Sequence, residues 1–190
     1  MIRCTYLCLA TTLLSLGASL APAQQAPSVR VTTSLGSFTI ELDPARAPLT
    51  VASFLRYVDD SFYDGTLFHR VVADFVVQGG GLNRDYSTRK ARASIANESG
   101  NGLMNLRGTV GLARTAEPHS GDAQFYVNIT DNPDLNPLPS RWGYAVFGRV
   151  VEGMDVVDRI ALSPTGAAGP LTSAAPLRPV LIEKIARVVP

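Results

Sequence analysis

Residues 68–81 read FHRVVADFVVQGGG, two short runs of β-branched and aromatic residues that end in three glycines. Such runs favour β-strands, and the polar break between them favours a turn, so the stretch predicts two adjacent strands. Arg70 lies among these apolar residues, where a guanidinium is costly to bury without hydrogen-bond partners. In one interpretation Arg70 pairs with a nearby carboxylate, Asp74 or Asp64. In the other it is a fixed donor for a ligand.

Short alternating runs on both sides of this stretch predict a mainly β protein. Further strands are predicted at residues 28–43 (a hairpin), 109–113, 124–129, 144–151 and 180–189. Amphipathic segments predict one helix within residues 44–60, where Thr50 is suited to capping, and a second at residues 154–162. Residues 163–179 are small and Pro-rich and predict an exposed connection. Many short strands with two helices predict a closed antiparallel barrel with a helix over each end.

Side-chain alternation also predicts which residues of the run 124–129 face a ligand. Successive side chains of a strand point to opposite faces, so Gln124 and Tyr126 share one face and Phe125 lies on the other. We expect Phe125 in the core, with Gln124 and Tyr126 at the ligand surface.

Residues 1–23 differ in character from the rest of the chain. A basic start and a leucine-rich run end in the small-residue site APA at residues 21–23, which predicts a secretory signal peptide and a mature domain of residues 24–190. An uncleaved membrane anchor is the alternative. Both cysteines, Cys4 and Cys8, lie in this segment, so we expect no disulfide in the mature chain. We expect a periplasmic protein without stable membrane association after cleavage.

Composition limits the classes of function. The chain has 190 residues, of which 46% are hydrophobic and 17% charged, which suits one compact domain. Its 17 basic and 16 acidic residues give a net charge of +1, which argues against general nucleic-acid binding.

The order of residues 68–80 resembles the signature of the cyclophilin family of peptidyl-prolyl isomerases. The strings GTVGLAR at 108–114, QFYVN at 124–128 and YAVFG at 144–148 resemble later strands of that family. The resemblance covers most of residues 29–189 and is closest to the exported bacterial branch. It implies an eight-stranded antiparallel β-barrel capped by two α-helices. It further implies a monomer that needs no cofactor or metal and assists the folding of exported, proline-containing polypeptides.

The resemblance also implies the parts played by individual residues. Arg70 would be the catalytic donor to the proline nitrogen. Substrate-binding roles would fall to His69, Phe75, Val76, Gln78, Ala113, Arg114, Gln124, Tyr126, Leu135 and Tyr144. Among these, the proline ring would be held by Phe75, Val76, Tyr126 and Leu135. The peptide would be bound by the main chain of Ala113 and Arg114.

Three positions depart from the more usual pattern of the family. Asp134 stands where many eukaryotic members carry a tryptophan that contributes to binding the inhibitor cyclosporin. We therefore expect Asp134 to determine inhibitor sensitivity. Tyr144 stands where those members often carry histidine, and Tyr126 replaces a phenylalanine and adds a hydroxyl at the pocket wall.

Two other functions compete with isomerisation. A hydrolase built on His69 and Asp74 is disfavoured because no Gly-x-Ser-x-Gly elbow precedes a helix. A binding module or chaperone with the same fold and weak activity is the stronger alternative, since a fold does not by itself fix a function.

Overall fold

The computed structural model describes residues 26–189, and the predicted signal peptide lies outside these residues. The described strands are β1 (Ser28–Thr33), β2 (Gly36–Leu42), β3 (Thr66–Phe68), β4 (Arg70–Val72), β5 (Val76–Gly79), β6 (Thr109–Leu112), β7 (Phe125–Asn128), β8 (Val146–Glu152), β9 (Thr165–Ala168), β10 (Leu171–Pro176) and β11 (Val180–Arg187). The helices are α1 (Pro48–Asp59), α2 (Met154–Ala161) and a short 3-10 helix (Pro133–Leu135).

Nine of these strands form one antiparallel sheet in the order β3-β11-β1-β2-β8-β6-β7-β5-β4. Its two outer members, β3 and β4, are separated along the chain by His69 alone. The chain bends at His69, so that it pairs with β11 before this residue and with β5 after it. This bend brings the sheet almost to closure. The predicted antiparallel barrel with two helices is confirmed. It has nine strands rather than eight, because the bend at His69 divides the strand predicted at residues 66–72 into β3 and β4.

Aromatic side chains fill the barrel beneath α1. The ring of Phe54 on α1 lies 5.3 Å from that of Tyr63, 5.6 Å from that of Phe125 and 5.2 Å from that of Phe147, measured between centroids. All four residues are buried. Close aromatic packing of this kind fixes the helix on the barrel.

The N-terminus of α1 differs from the sequence prediction. Thr50 is not the capping residue; it lies in the first turn of a helix that begins at Pro48. The carboxylate of Glu98, from a distant loop, accepts hydrogen bonds from the backbone N–H groups of Leu49 and Thr50 at 3.0 and 2.8 Å. It therefore satisfies donors that a helix start leaves free.

The segment expected to be an exposed connection, residues 163–179, is more ordered than predicted. It contains the antiparallel hairpin of β9 and β10. Its small residues and prolines gave no clear alternation, so the pairing was not visible in the sequence. Among the described residues, no helix is long and apolar enough to cross a membrane.

Candidate active site

The site forms where residues of four neighbouring strands lie side by side. Arg70 on β4 lies opposite Gln78 on β5, Gln78 lies opposite Tyr126 on β7, and Tyr126 lies opposite Gly111 on β6. Directly opposed residues in antiparallel strands present their side chains on the same face of the sheet. Phe125, the neighbour of Tyr126, is fully buried in the core, as strand alternation predicts.

A chain of amide hydrogen bonds holds the arginine. Nη1 of Arg70 donates to Oε1 of Gln78 at 3.2 Å, and Nε2 of Gln78 donates to Oε1 of Gln124 at 3.0 Å. The described carboxylates form no ion pair with Arg70, so the interpretation that Asp74 or Asp64 pairs with it is not the arrangement found. Gln78 is a neutral partner, so Arg70 keeps its full positive charge for a ligand.

Arg70 borders a small cavity of about 250 Å³. The residues that line it are Arg70, Phe75, Val76, Gln78, Ala113, Arg114, Tyr126, Leu135 and Tyr144. The Arg70 guanidinium carbon lies 5.8 Å from the centroid of the Phe75 ring, within the range of a cation–π contact. The lining combines apolar side chains, such as Phe75, Val76 and Leu135, with polar ones, and a cavity of this kind suits a group that is partly apolar and accepts hydrogen bonds.

Two residues predicted to bind substrate, Gln124 and His69, do not line this cavity. Gln124 lies behind Gln78 and orients it. His69, at the bend of the barrel, is only 5% exposed, and its Nδ1 has no hydrogen-bond partner among the described residues. Burial, followed by the positive charge of Arg70, lowers the pKa of His69 below its usual value.

The side chain of Arg114 makes contacts that the sequence did not predict. Its guanidinium carbon lies 4.3 Å from the centroid of the Tyr144 ring. Its nitrogens donate to the backbone oxygens of Gly143 at 3.1 Å and Trp142 at 2.9 Å. Arg114 therefore fixes both the ring of Tyr144 and the loop that carries it. The backbone N–H of Ala113 donates to Gln124 O at 2.9 Å and ties this segment to β7.

The hydroxyl of Tyr126 does not add a free polar group to the pocket wall. It donates to Oδ1 of buried Asn105 at 2.7 Å, and burial raises the pKa of the phenol. Asn105 belongs to a group of buried amides that we call the asparagine cluster: Asn105, Asn128, Asn132 and Asn136. This cluster was not predicted, although the spacing of four residues between its last three members is visible in the sequence.

Asp134 and Trp142 lie at the margin of the site. Asp134 is exposed on the 3-10 helix, next to the cavity-lining Leu135. Trp142 packs edge-on against His119, with centroids 5.1 Å apart, and lies outside the cavity.

A second, larger cavity of about 810 Å³ lies elsewhere on the barrel, beside β2 and β8. Two of its charged residues, Glu41 and Arg149, pair with each other at 2.7 Å. The smaller cavity is the better candidate for chemistry because its arginines have no carboxylate partner among the described residues. The described residues contain no group of His, Cys, Asp and Glu side chains suited to hold a metal ion.

Comparison with known proteins identifies relatives over nearly the whole described chain. Residues 28–187 match the family model for cyclophilin type peptidyl-prolyl cis-trans isomerase/CLD. A peptidyl-prolyl cis-trans isomerase of Streptomyces antibioticus is 49% identical over 159 residues, which are 82% of this chain and 95% of the relative. Peptidyl-prolyl cis-trans isomerase B of Escherichia coli is 43% identical and covers 80% of this chain and 94% of its own.

The fold also matches a solved structure. A cyclophilin type peptidyl-prolyl cis-trans isomerase of Cryptosporidium parvum superimposes with a TM-score of 0.71 at 22% sequence identity, covering 87% of this chain and 99% of the other. At this identity the likeness concerns the fold alone.

Proposed function

This chain belongs to the cyclophilin-type peptidyl-prolyl cis-trans isomerases, and we propose that Arg70 is its catalytic residue and that its substrates are exported polypeptides. The observation that carries the first part is the position of Arg70, a charged donor held by Gln78 at the edge of a cavity that the apolar side chains of Phe75, Val76 and Leu135 also line. The second part is supported by the leucine-rich N-terminal segment and its APA site at residues 21–23.

The reaction is rotation about the peptide bond that precedes proline. The barrier without a catalyst is about 20 kcal/mol, because the nitrogen lone pair is delocalised into the carbonyl group. When the bond is twisted, that lone pair returns to the proline nitrogen. A donor beside the nitrogen therefore binds the twisted form better than either planar isomer, and such differential binding lowers the barrier.

The arrangement of the site suits this mechanism. Among the described residues, Arg70 has one side-chain hydrogen bond, to Gln78, which leaves further N–H groups for a substrate. Gln124 holds Gln78, so the guanidinium needs no large rearrangement before it can donate. The rings of Phe75 and Tyr126 supply apolar walls for the pyrrolidine ring. No proton is transferred, so the reaction requires no acid or base from His69.

The test is a protease-coupled isomerisation assay with a proline-containing tetrapeptide. Arg70→Ala should lower kcat/KM by about a hundredfold or more, the scale seen when one transition-state donor is removed. Arg178→Ala is the matched control, because Arg178 is an exposed arginine outside the cavity. A folded Arg70→Ala variant with turnover near that of the wild type contradicts the assigned role.

A further inference from the structure

Asn105 is a fully buried residue that does not line the cavity. It is hydrogen-bonded to two residues that do, Tyr126 and Tyr144. It lies in the turn before β6 and has 0% exposure. Buried amides normally satisfy both their donors and their acceptor, and Asn105 does so with partners from separate loops.

The first contact is with the wall of the cavity. Oδ1 of Asn105 accepts hydrogen bonds from the Tyr126 hydroxyl at 2.7 Å and from Nδ2 of Asn128 at 3.3 Å. Across the sheet, the hydroxyl end of the Tyr126 side chain lies close to Gly111, where a Cβ would stand 2.2 Å from Cζ and from the hydroxyl oxygen. The ring is therefore held at its hydroxyl end by both contacts.

The second set of contacts holds the 3-10 helix that carries Leu135. The backbone oxygen of Asn105 accepts from Asn132 N at 2.8 Å, at the start of this turn. Its backbone N–H donates to Oδ1 of Asn136 at 2.8 Å, at the end of the turn, and its Nδ2 donates to the same atom at 3.1 Å. Leu135 lies between these two anchors, and its carbonyl accepts from Tyr144 N at 2.9 Å.

We propose that Asn105 is a positioning residue for the proline pocket, which sets the places of Tyr126 and Leu135 without touching the substrate. The proposal rests on the proposed function of the cavity. An apolar residue of similar volume would fill the space but would anchor neither the hydroxyl nor the turn. A displacement of about 1 Å in such a wall costs up to about a hundredfold in catalysis.

The effect should appear mainly in substrate binding. Tyr126 and Leu135 contact the ring in the planar and twisted forms alike, whereas Arg70 discriminates between them. Losing contacts that are equal in ground and transition states raises KM and changes kcat less. A residue with a purely structural role would lower the stability and leave KM unchanged.

The experiment compares Asn105→Ala with Asn101→Ala. Asn101 also holds a loop by two side-chain hydrogen bonds, to Val146 O at 2.9 Å and from Leu103 N at 3.0 Å, but lies outside the cavity. We expect Asn105→Ala to raise KM by about tenfold, with a smaller change in kcat. Asn101→Ala should keep both constants within about twofold at a comparable loss of Tm.

A folded Asn105→Ala variant with KM within about twofold of the wild type overturns the proposal. Turnover by the wild-type protein tests the proposed function independently. An unchanged KM in Asn105→Ala therefore counts against the role of Asn105 alone. If Asn105→Ala does not fold, Asn136→Ala replaces it, because it removes the acceptor of both Asn105 donors. An unchanged KM in folded Asn136→Ala likewise overturns the proposal.

Discussion

At the level of single residues, Gly81, the second residue after β5, explains how Gln124 reaches Gln78. A Cβ on Gly81 would stand 2.5 Å from the side-chain carbons of Gln124, too close for the observed packing. The glycine is thus required by the side chain that crosses over it, and not by unusual backbone geometry.

Gly81→Ala should therefore impair catalysis. The new methyl group displaces Gln124, which releases Gln78 and loosens Arg70, so we expect kcat to fall by about tenfold. Gly100→Ala is the matched control, since a Cβ there meets nothing within 4 Å. Steady-state kinetics of both variants test the idea; equal activity in the two would show that Gln124 does not act on Arg70 through Gln78.

His69 makes stability depend on pH near neutrality. Burial lowers the pKa of His69 in the folded protein, so as the pH falls the unfolded chain binds this proton first. The stability contributed by neutral His69 is complete above about pH 6.5 and is lost as the pH falls below that value. Urea unfolding at pH 7.5 and 5.5 should show a loss in the wild type that His69→Gln reduces. An identical loss in both proteins would exclude His69 as its source.

Asp134 should weaken the binding of cyclosporin. A carboxylate offers neither an aromatic surface nor an N–H donor, and it resists desolvation under an apolar macrocycle. Loss of one aromatic anchor costs about 2 to 4 kcal/mol, which corresponds to roughly 30-fold to 1,000-fold in affinity. Titration of the wild type and Asp134→Trp should show tighter binding by the variant. Equal, tight binding by both proteins would argue that another group replaces the tryptophan.

At the level of elements, the start of α1 depends on a residue far away in the sequence. Glu98 accepts from two N–H groups of the first turn and from the Thr50 hydroxyl at 2.7 Å. Helix α1 covers the aromatic core beneath Phe54, so a loss at its N-terminus weakens the packing that supports the barrel.

Glu98→Ala should lower the free energy of unfolding by about 1 to 2 kcal/mol, the usual scale for loss of a helix cap. Glu183→Ala, at an exposed position of β11, should change it by no more than about 0.5 kcal/mol. Denaturant unfolding of both variants measures the difference. Equal stability of the two would mean that the Glu98 contacts contribute nothing.

At the level of the whole molecule, the proposed signal peptide divides the chain into two parts. If residues 1–23 are removed, the mature protein begins at Gln24 and contains neither cysteine. Intact-mass measurement on protein recovered from the periplasm of an expressing Gram-negative bacterium should give the mass of residues 24–190. A mass that includes the first 23 residues would favour the membrane anchor.

The sequence by itself determined the strands of the barrel, both α-helices and many of the residues that line the cavity, but not the hairpin of β9 and β10. Strand alternation assigned Phe125 to the core and Tyr126 to the opposite face. Arg70 and Gln78 lie on two strands that are adjacent along the chain, so their pairing depends on neighbouring residues only. Nine of the residues singled out by resemblance line one cavity. These features depend on local periodicity and on neighbours close along the chain, which a sequence displays directly.

Only the tertiary structure decided the contacts between segments distant in sequence. Gln124 reaches Gln78, Arg114 covers Tyr144, Glu98 holds α1, and His69 becomes the bend that nearly closes the barrel. Asn105 likewise contacts Tyr126, Asn132 and Asn136 across long stretches of sequence. The physical reason is that alternation fixes the face on which a side chain lies, whereas its partner depends on the register and proximity of other segments, which only the folded chain sets.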